Sequence, residues 1–275
     1  MSQPTARSGP IALRPLGLAE ILDGSVRVLR RNLPTMLVIS ALVAVGYVAL
    51  IAALQLSAFR NLDQVQLELV TTGLVGGFAG ELLTGLLSIP IAQDVLGVRL
   101  GPAAIWRAAR GRMWALLALA FVLTVAQDVT LFIVLGIWLW GLWAVAAPAL
   151  MVERTSLRRA FSRSAYLVSG SWWRVWGIRA LGVVLTSVLG LLVTVPFLLL
   201  ALYASGRSFS AGAAGAGPTY VLITSVGSVI AATVTWPIRA GIDVLLYLDL
   251  RMRKEGLDIV LTYGEPVAAP AGSWA

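Results

Sequence analysis

The chain has 275 residues, 59% of them hydrophobic and only 12% charged, with a net charge of +8 and a pI near 10.7. Soluble domains average roughly 25% charged residues, so a mean hydropathy of +0.87 makes lipid the solvent for much of the chain. Histidine and cysteine are both absent, which excludes disulfides, thiol nucleophiles, histidine-dependent triads, haem on His or Cys and ordinary zinc sites.

A backbone in hydrocarbon must satisfy its own hydrogen bonds, which leaves helices or a closed barrel. The apolar runs are continuous rather than alternating, and this selects helices. Residues 1–13 are small and polar and are expected to be disordered. The first strongly apolar run begins only near Leu33, so a cleaved leader is not expected and the first span stays as an anchor.

Residues 16–32 read as an amphipathic interfacial helix, with Leu18, Ile21, Leu22, Val26 and Leu29 near one face. Arg27, Arg30 and Arg31 crowd its end, where cations suit the helix dipole. Spans follow at 35–59 and 70–93. The second contains Gly73, Gly76, Gly77 and Gly80, two overlapping small-residue spacings that invite close helix contact, with Glu81 directly after. Residues 94–112 read as a loop with a helical look and carry Arg99, Arg107, Arg110 and Arg112. The apolar run 113–151 is too long for one crossing of about twenty residues. It reads as a hairpin of spans 113–131 and 133–152, with Asp128 beside the break at the outer surface.

Residues 154–169 form the clearest amphipathic segment. Leu157, Phe161, Ser164 and Val168 make one stripe, and Arg154, Arg158, Arg159 and Arg163 are interleaved. Trp172, Trp173 and Trp176 follow, as at a headgroup boundary, and Arg174 and Arg179 mark the inner end of a fifth span at 175–203. A Gly/Ala/Ser loop leads to a sixth span at 219–248, and residues 260–275 read as a disordered tail.

The 21 basic residues, all Arg except Lys254, decide the orientation. With six spans and both termini inside, the loops carrying Arg27 to Arg31, Arg99 to Arg112, Arg154 to Arg163 and Arg251 to Lys254 are cytoplasmic, and only Arg60 and Arg207 lie in outer loops. The fold class is therefore an all-α integral membrane protein, residues 14–259 forming one bundle of six transmembrane helices with cytoplasmic-side amphipathic helices. The positive charge is explained by this asymmetry rather than by nucleic acid. A pattern of Arg-bearing helix followed by apolar hairpin also begins three times, near Leu16, Gly101 and Ser156.

Charges inside spans cost about 2.5–3.5 kcal/mol each on insertion scales, so they are paired, cavity-facing or functional. Glu81, Arg239 and Asp243 form the candidate intramembrane cluster. Arg239 and Asp243 share a helix face at i, i+4 and are expected to pair. If the last helix is continuous or kinked, Arg239 lies about 15 Å from Asp249 along the axis. If the span ends at Trp236–Pro237, residues 239–254 form a separate interfacial helix. Arg154, Arg158, Arg159, Arg163, Arg251, Arg253 and Lys254 form the candidate lipid- or partner-docking surface.

Three stretches, RPLGLAEILDGSVRVLRRN (14–32), AAPALMVERTSLRRAFSRSAYLVSGSWWRVWGI (146–178) and LLYLDLRMRKEGLDI (245–259), occur in an order that resembles the bacterial, actinobacterial-type glycerophosphoryl diester phosphodiesterase membrane-domain family. The resemblance implies a six-helix protein of the bacterial cytoplasmic membrane serving as a membrane module for a partner. The phosphodiesterase of fused members uses histidines and metal-binding carboxylates, so that activity is not carried to a sequence without His. The expected function is a non-catalytic module, without cofactor or metal, docking anionic lipid or a membrane or peripheral protein. The alternative is a transporter or channel for an ion, small solute or lipid, with Glu81, Arg239 and Asp243 lining the path.

Overall fold

The structure is a computed structural model that describes residues 14–56, 69–95, 100–130, 134–206 and 217–257. The expected disordered termini, the first outer loop, the 131–133 hairpin break and most of the 204–217 loop lie outside these residues. Among the described residues there are helices and no strands. They are α1 (Leu18–Arg31), α2 (Leu33–Leu56), a π-helical segment (Leu69–Gly76) running into α3 (Gly77–Val95), α4 (Pro102–Arg110), α5 (Met113–Thr130), α6 (Val134–Leu142), α7 (Ala146–Val152), α8 (Leu157–Val168), α9 (Trp172–Ser205) and α10 (Pro218–Glu255).

Among the described residues, five stretches are long and apolar enough to cross a membrane: Leu33–Leu54, Gly73–Val95, Leu135–Val152, Trp172–Ser205 and Pro218–Glu255. The number becomes six if α4 and α5, bent by 79° at their junction, count as one span. Much of their surface faces outward as bare hydrocarbon. Leu42, Leu191, Leu192, Leu199 and Leu222 are all more than half exposed, which water would penalise over so large a contiguous area.

The last helix is continuous for 38 residues, about 57 Å at the rise of an α-helix. Pro237 sits inside it without ending it, as prolines within apolar helices are tolerated when neighbours pack around the freed carbonyl. This removes the reading in which residues 239–254 form a helix of their own. From Ile238 to Leu250 every residue except Arg239 is buried. This half of α10 is the post around which α1, α2, α3 and α9 pack. A second core joins α4, α5, α7 and α8 through Leu116, Leu119, Leu150 and Ala160.

Small residues set the crossings, as expected where lipid supplies no hydrophobic drive between helices. A Cβ on Gly241 would stand 3.0 Å from the Ser25 side chain, one on Gly182 2.8 Å from Ile242, and one on Gly227 2.6 Å from the Cβ of Phe197. The Ser25–Gly241 contact turns α1 away from its expected orientation. Its buried side is Ile21, Gly24, Ser25, Val28 and Leu29, while Leu18 is exposed, because the backbone approaches most closely on the side of the smallest side chains. Similarly, α8 buries Ala160, Ser164, Leu167 and Val168, with Leu157 and Phe161 only partly covered. Of the glycines expected to seat a neighbour, Gly77 packs against Thr124 of α5, but a Cβ on Gly80 would meet nothing within 4 Å.

The threefold pattern is visible in the arrangement. Gly17, Gly101 and Ser156 are the N-caps of α1, α4 and α8, with matching φ, ψ of −78°, 168°, −75°, 162° and −80°, 161°, and each short helix precedes a pair of apolar stretches.

Replacing Gly227 by Ala should lower stability by about 1–3 kcal/mol through overpacking against Phe197, whereas Gly80→Ala should leave it unchanged or raised. Thermal unfolding of the two variants in the same detergent checks the contrast.

Candidate functional site

Two turns into α9, Arg179 is buried with 3% of its side chain exposed. Gly182, one turn further on, lets α9 and α10 approach, and that crossing brings Arg179 opposite Asp243. The guanidinium grips the carboxylate as a fork, Nε donating to Oδ1 at 2.9 Å and Nη2 to Oδ2 at 3.3 Å. Nη1 donates to the Trp140 carbonyl oxygen at 2.6 Å, and the guanidinium lies 4.6 Å from the Trp140 ring centroid. Nη2 also comes within 3.9 Å of Glu81 Oε1 on α3. The expected pairing of Arg239 with Asp243 is thus replaced by Arg179 with Asp243. A same-helix i, i+4 pair contributes a few tenths of a kcal/mol. A forked pair between buried helices is stronger and leaves less of either charge unmet.

Glu81, Arg239 and Asp243 line one partly open cavity of about 320 Å³ between α2, the π-helical segment, α3, α5 and α10. Tyr47 and Trp236, 5.3 Å apart between ring centroids, form part of its wall. Arg239 exposes its side chain and lines the cavity. It makes no hydrogen bond or ion pair among the described residues. Thr124 Oγ1, in the opposite wall, is buried and has no partner. Asp128 falls in the last turn of α5, next to the break, and its side chain is outside the described set.

The candidate docking surface divides in two. Arg163, Arg251, Arg253 and Lys254 are held by the protein itself. Arg163 Nε donates to both oxygens of Glu153 at 2.9 Å and its Nη2 to Glu255 at 2.8 Å, while Arg251 Nε donates to Glu255 at 3.0 Å. Tyr247 donates its hydroxyl to Glu153 at 2.8 Å. Lys254 donates to Ser169 Oγ at 2.7 Å. Arg253 and Arg174 both reach the wholly buried Asp249, which also accepts the Leu16 N–H at 2.7 Å, and the two arginines donate to the Leu16 carbonyl. Arg154, Arg158 and Arg159, by contrast, are exposed and make no side-chain bond among the described residues.

Arg179 is the residue that sequence reading passed over. It was placed with the inner-end arginines of the fifth span, although it is the one charge after the tryptophan cluster in an otherwise apolar run, and that isolation was the available signal. Glu153 and Glu255 were missed too, because their role depends on Arg163 reaching from α8 to the end of α10.

Comparison with protein-family models, with curated proteins and with solved structures finds no match to this chain.

Replacing Asp243 by Asn should cost about 3–5 kcal/mol, because Arg179 would remain buried without its counter-charge. Arg239→Gln, which breaks no pair, should cost much less. Paired unfolding curves read the difference, and equal losses would mean that Arg239 is Asp243's working partner after all.

Proposed function

We propose that this chain is a non-catalytic six-span module of the bacterial cytoplasmic membrane, with both termini on the cytoplasmic side and its inner face held on anionic lipid. Its place beside the glycerophosphoryl diester phosphodiesterase membrane domains belongs to the same proposal. The spans are α2, α3 with its π-helical lead, α5, α6 with α7, α9 and α10, and the short helices α1, α4 and α8 lie along the inner interface.

The observation that carries this reading is a set of exposed arginines unpaired with any carboxylate among the described residues: Arg30 on α1, Arg107 and Arg110 on α4, and Arg154, Arg158 and Arg159 at the start of α8. Arg112 joins the α4 and α8 groups by donating to the carbonyls of Arg154 and Thr155, so they form one basic face. Trp106 and Trp114, 60% and 85% exposed, flank it. Basic residues near an anionic leaflet contribute about 1 kcal/mol each, and tryptophan is the aromatic residue of the headgroup boundary.

In bilayers of mixed phosphatidylglycerol and phosphatidylcholine, spin-labelled lipids should show selection of the anionic lipid that weakens with salt. The combined change of Arg107, Arg110, Arg158 and Arg159 to Gln should remove most of it. Unaltered selectivity in that variant would defeat the lipid reading and leave the face to a protein partner.

A second reading, a path for a small solute or lipid, is favoured by the cavity that Glu81, Arg239 and Asp243 share. The native chain has no Cys, so single cysteines at these three positions can be probed directly. An aqueous thiol reagent is expected to label at least position 81 or 239 from one side, and protection of all three from both sides would end this reading.

A further inference from the structure

The cavity beside Arg179 has opposite charges on one lining and neither is fully met. Asp243 is consumed by Arg179. Glu81 retains 15% side-chain exposure, and its contact with Arg179 is 3.9 Å long with no hydrogen bond. Arg239 lines the same space and makes no hydrogen bond or ion pair within 4 Å among the described residues, its attraction to Glu81 and Asp243 acting only at longer range. We propose that this cavity is a binding site for a zwitterion, a molecule carrying an oxyanion and an ammonium group a few atoms apart, with Arg239 taking the oxyanion and Glu81 the ammonium.

The lining itself discriminates. A lone anion meets Glu81 and a lone cation meets Arg239, so each is repelled by half of the wall, whereas a zwitterion is complementary to both. Arg239 exposes its side chain on the cavity, and its guanidinium offers only donors, so it is placed to take a ligand oxyanion. The buried Thr124 hydroxyl, also without a partner, supplies a neutral donor and acceptor on the same cavity. Gly80, whose Cβ would meet nothing within 4 Å, keeps the wall open where a side chain would fill it. About 320 Å³ is at the small end of ligand-site volumes, which fits a head group or a small amino acid.

The ligand chemistry has two sources. A free solute such as an amino acid fits the polar cavity alone. A phosphatidylethanolamine head group fits it as well, and Gln127 lines both this cavity and an open apolar groove of about 430 Å³ with Ile137, Trp140, Trp176 and Val183, where a lipid chain would lie. The proposal does not depend on the basic inner face, and a site that binds without transporting satisfies it.

Calorimetry on the purified full chain in detergent, with alanine and glycerophosphoethanolamine as probes, tests the free form. Propionate, glycerol phosphate and ethanolamine are the half-charged controls. Native mass spectrometry of the chain released from nanodiscs of mixed phosphatidylethanolamine and phosphatidylglycerol tests the lipid form. The expected result is binding of at least one zwitterionic probe, or retention of phosphatidylethanolamine over phosphatidylglycerol. Arg239→Gln and Glu81→Gln should each weaken it by roughly tenfold or more, as loss of a charged hydrogen bond does. Gly80→Leu should abolish it while melting at or above the parent temperature, which separates a filled site from a damaged fold. A solute that binds without retained lipid, or a lipid that is retained without solute binding, supports the site and names its source. The proposal is overturned if no zwitterion binds in either form, if propionate or ethanolamine binds as tightly, or if Gly80→Leu and the two charge variants bind like the parent.

Discussion

A guanidinium enclosed between apolar helices must have its donors met from several directions at once, and Arg179 is met from three. Asp243 on α10 takes the fork, the Trp140 carbonyl at the end of α6 takes a third N–H, and Glu81 on α3 stands at 3.9 Å. Each partner is on a different stretch of chain, so the side chain works as a three-way tie. Its position is permitted by Gly182 one turn along, where α9 and α10 come close enough for the fork to close. Move the crossing outward and Arg179 loses Asp243. That would leave two buried charges uncompensated, which is far more costly than the pair is favourable.

The same logic runs down the C-terminal half of α10. Asp249 holds the backbone of Leu16 together with Arg174 and Arg253, so the start of the described chain is fastened to its end. Tyr247, Arg251 and Glu255 close a network with Glu153 and Arg163 that fixes α8 against α10. Arg154, with φ at +52° in the turn before α8, belongs to the same corner, and its carbonyl is held by Arg112. Almost every charge on this half of the helix is therefore committed to holding the bundle together. Arg239 is the exception, and its exceptional status is what turns a packing post into one wall of a site.

How much of this was legible follows from the range of each interaction. The helices α1, α4 and α8, and most of the long apolar stretches, were readable because periodicity and run length are local. So was the recurrence of a short Arg-bearing helix before an apolar pair, since it depends only on order along the chain. The buried face of α1 was read in part: Ile21 and Leu29 are buried and Leu22 packs against the core, but the contact with Gly241 rotates the helix toward Ser25 and leaves Leu18 exposed. The docking surface was over-counted for a similar reason. Arg163 and Arg158 look alike in sequence, yet only Arg163 finds Glu153 and Glu255 within reach.

From the sequence alone came the all-helical character, apolar runs long enough to cross a membrane, the exclusion of chemistry that needs His or Cys, and the positions of the charges that interrupt the apolar runs. These depend on composition and on spacing within single helices. The tertiary structure decided that α10 passes Pro237 unbroken, that Asp243 belongs to Arg179, and that Glu81 and Arg239 face one cavity. A charge buried in an apolar bundle takes whichever partner the helix crossings bring to it. Those crossings are set by small residues far apart in the chain, Gly182 against Ile242 and Gly241 against Ser25, and no single helix contains that information.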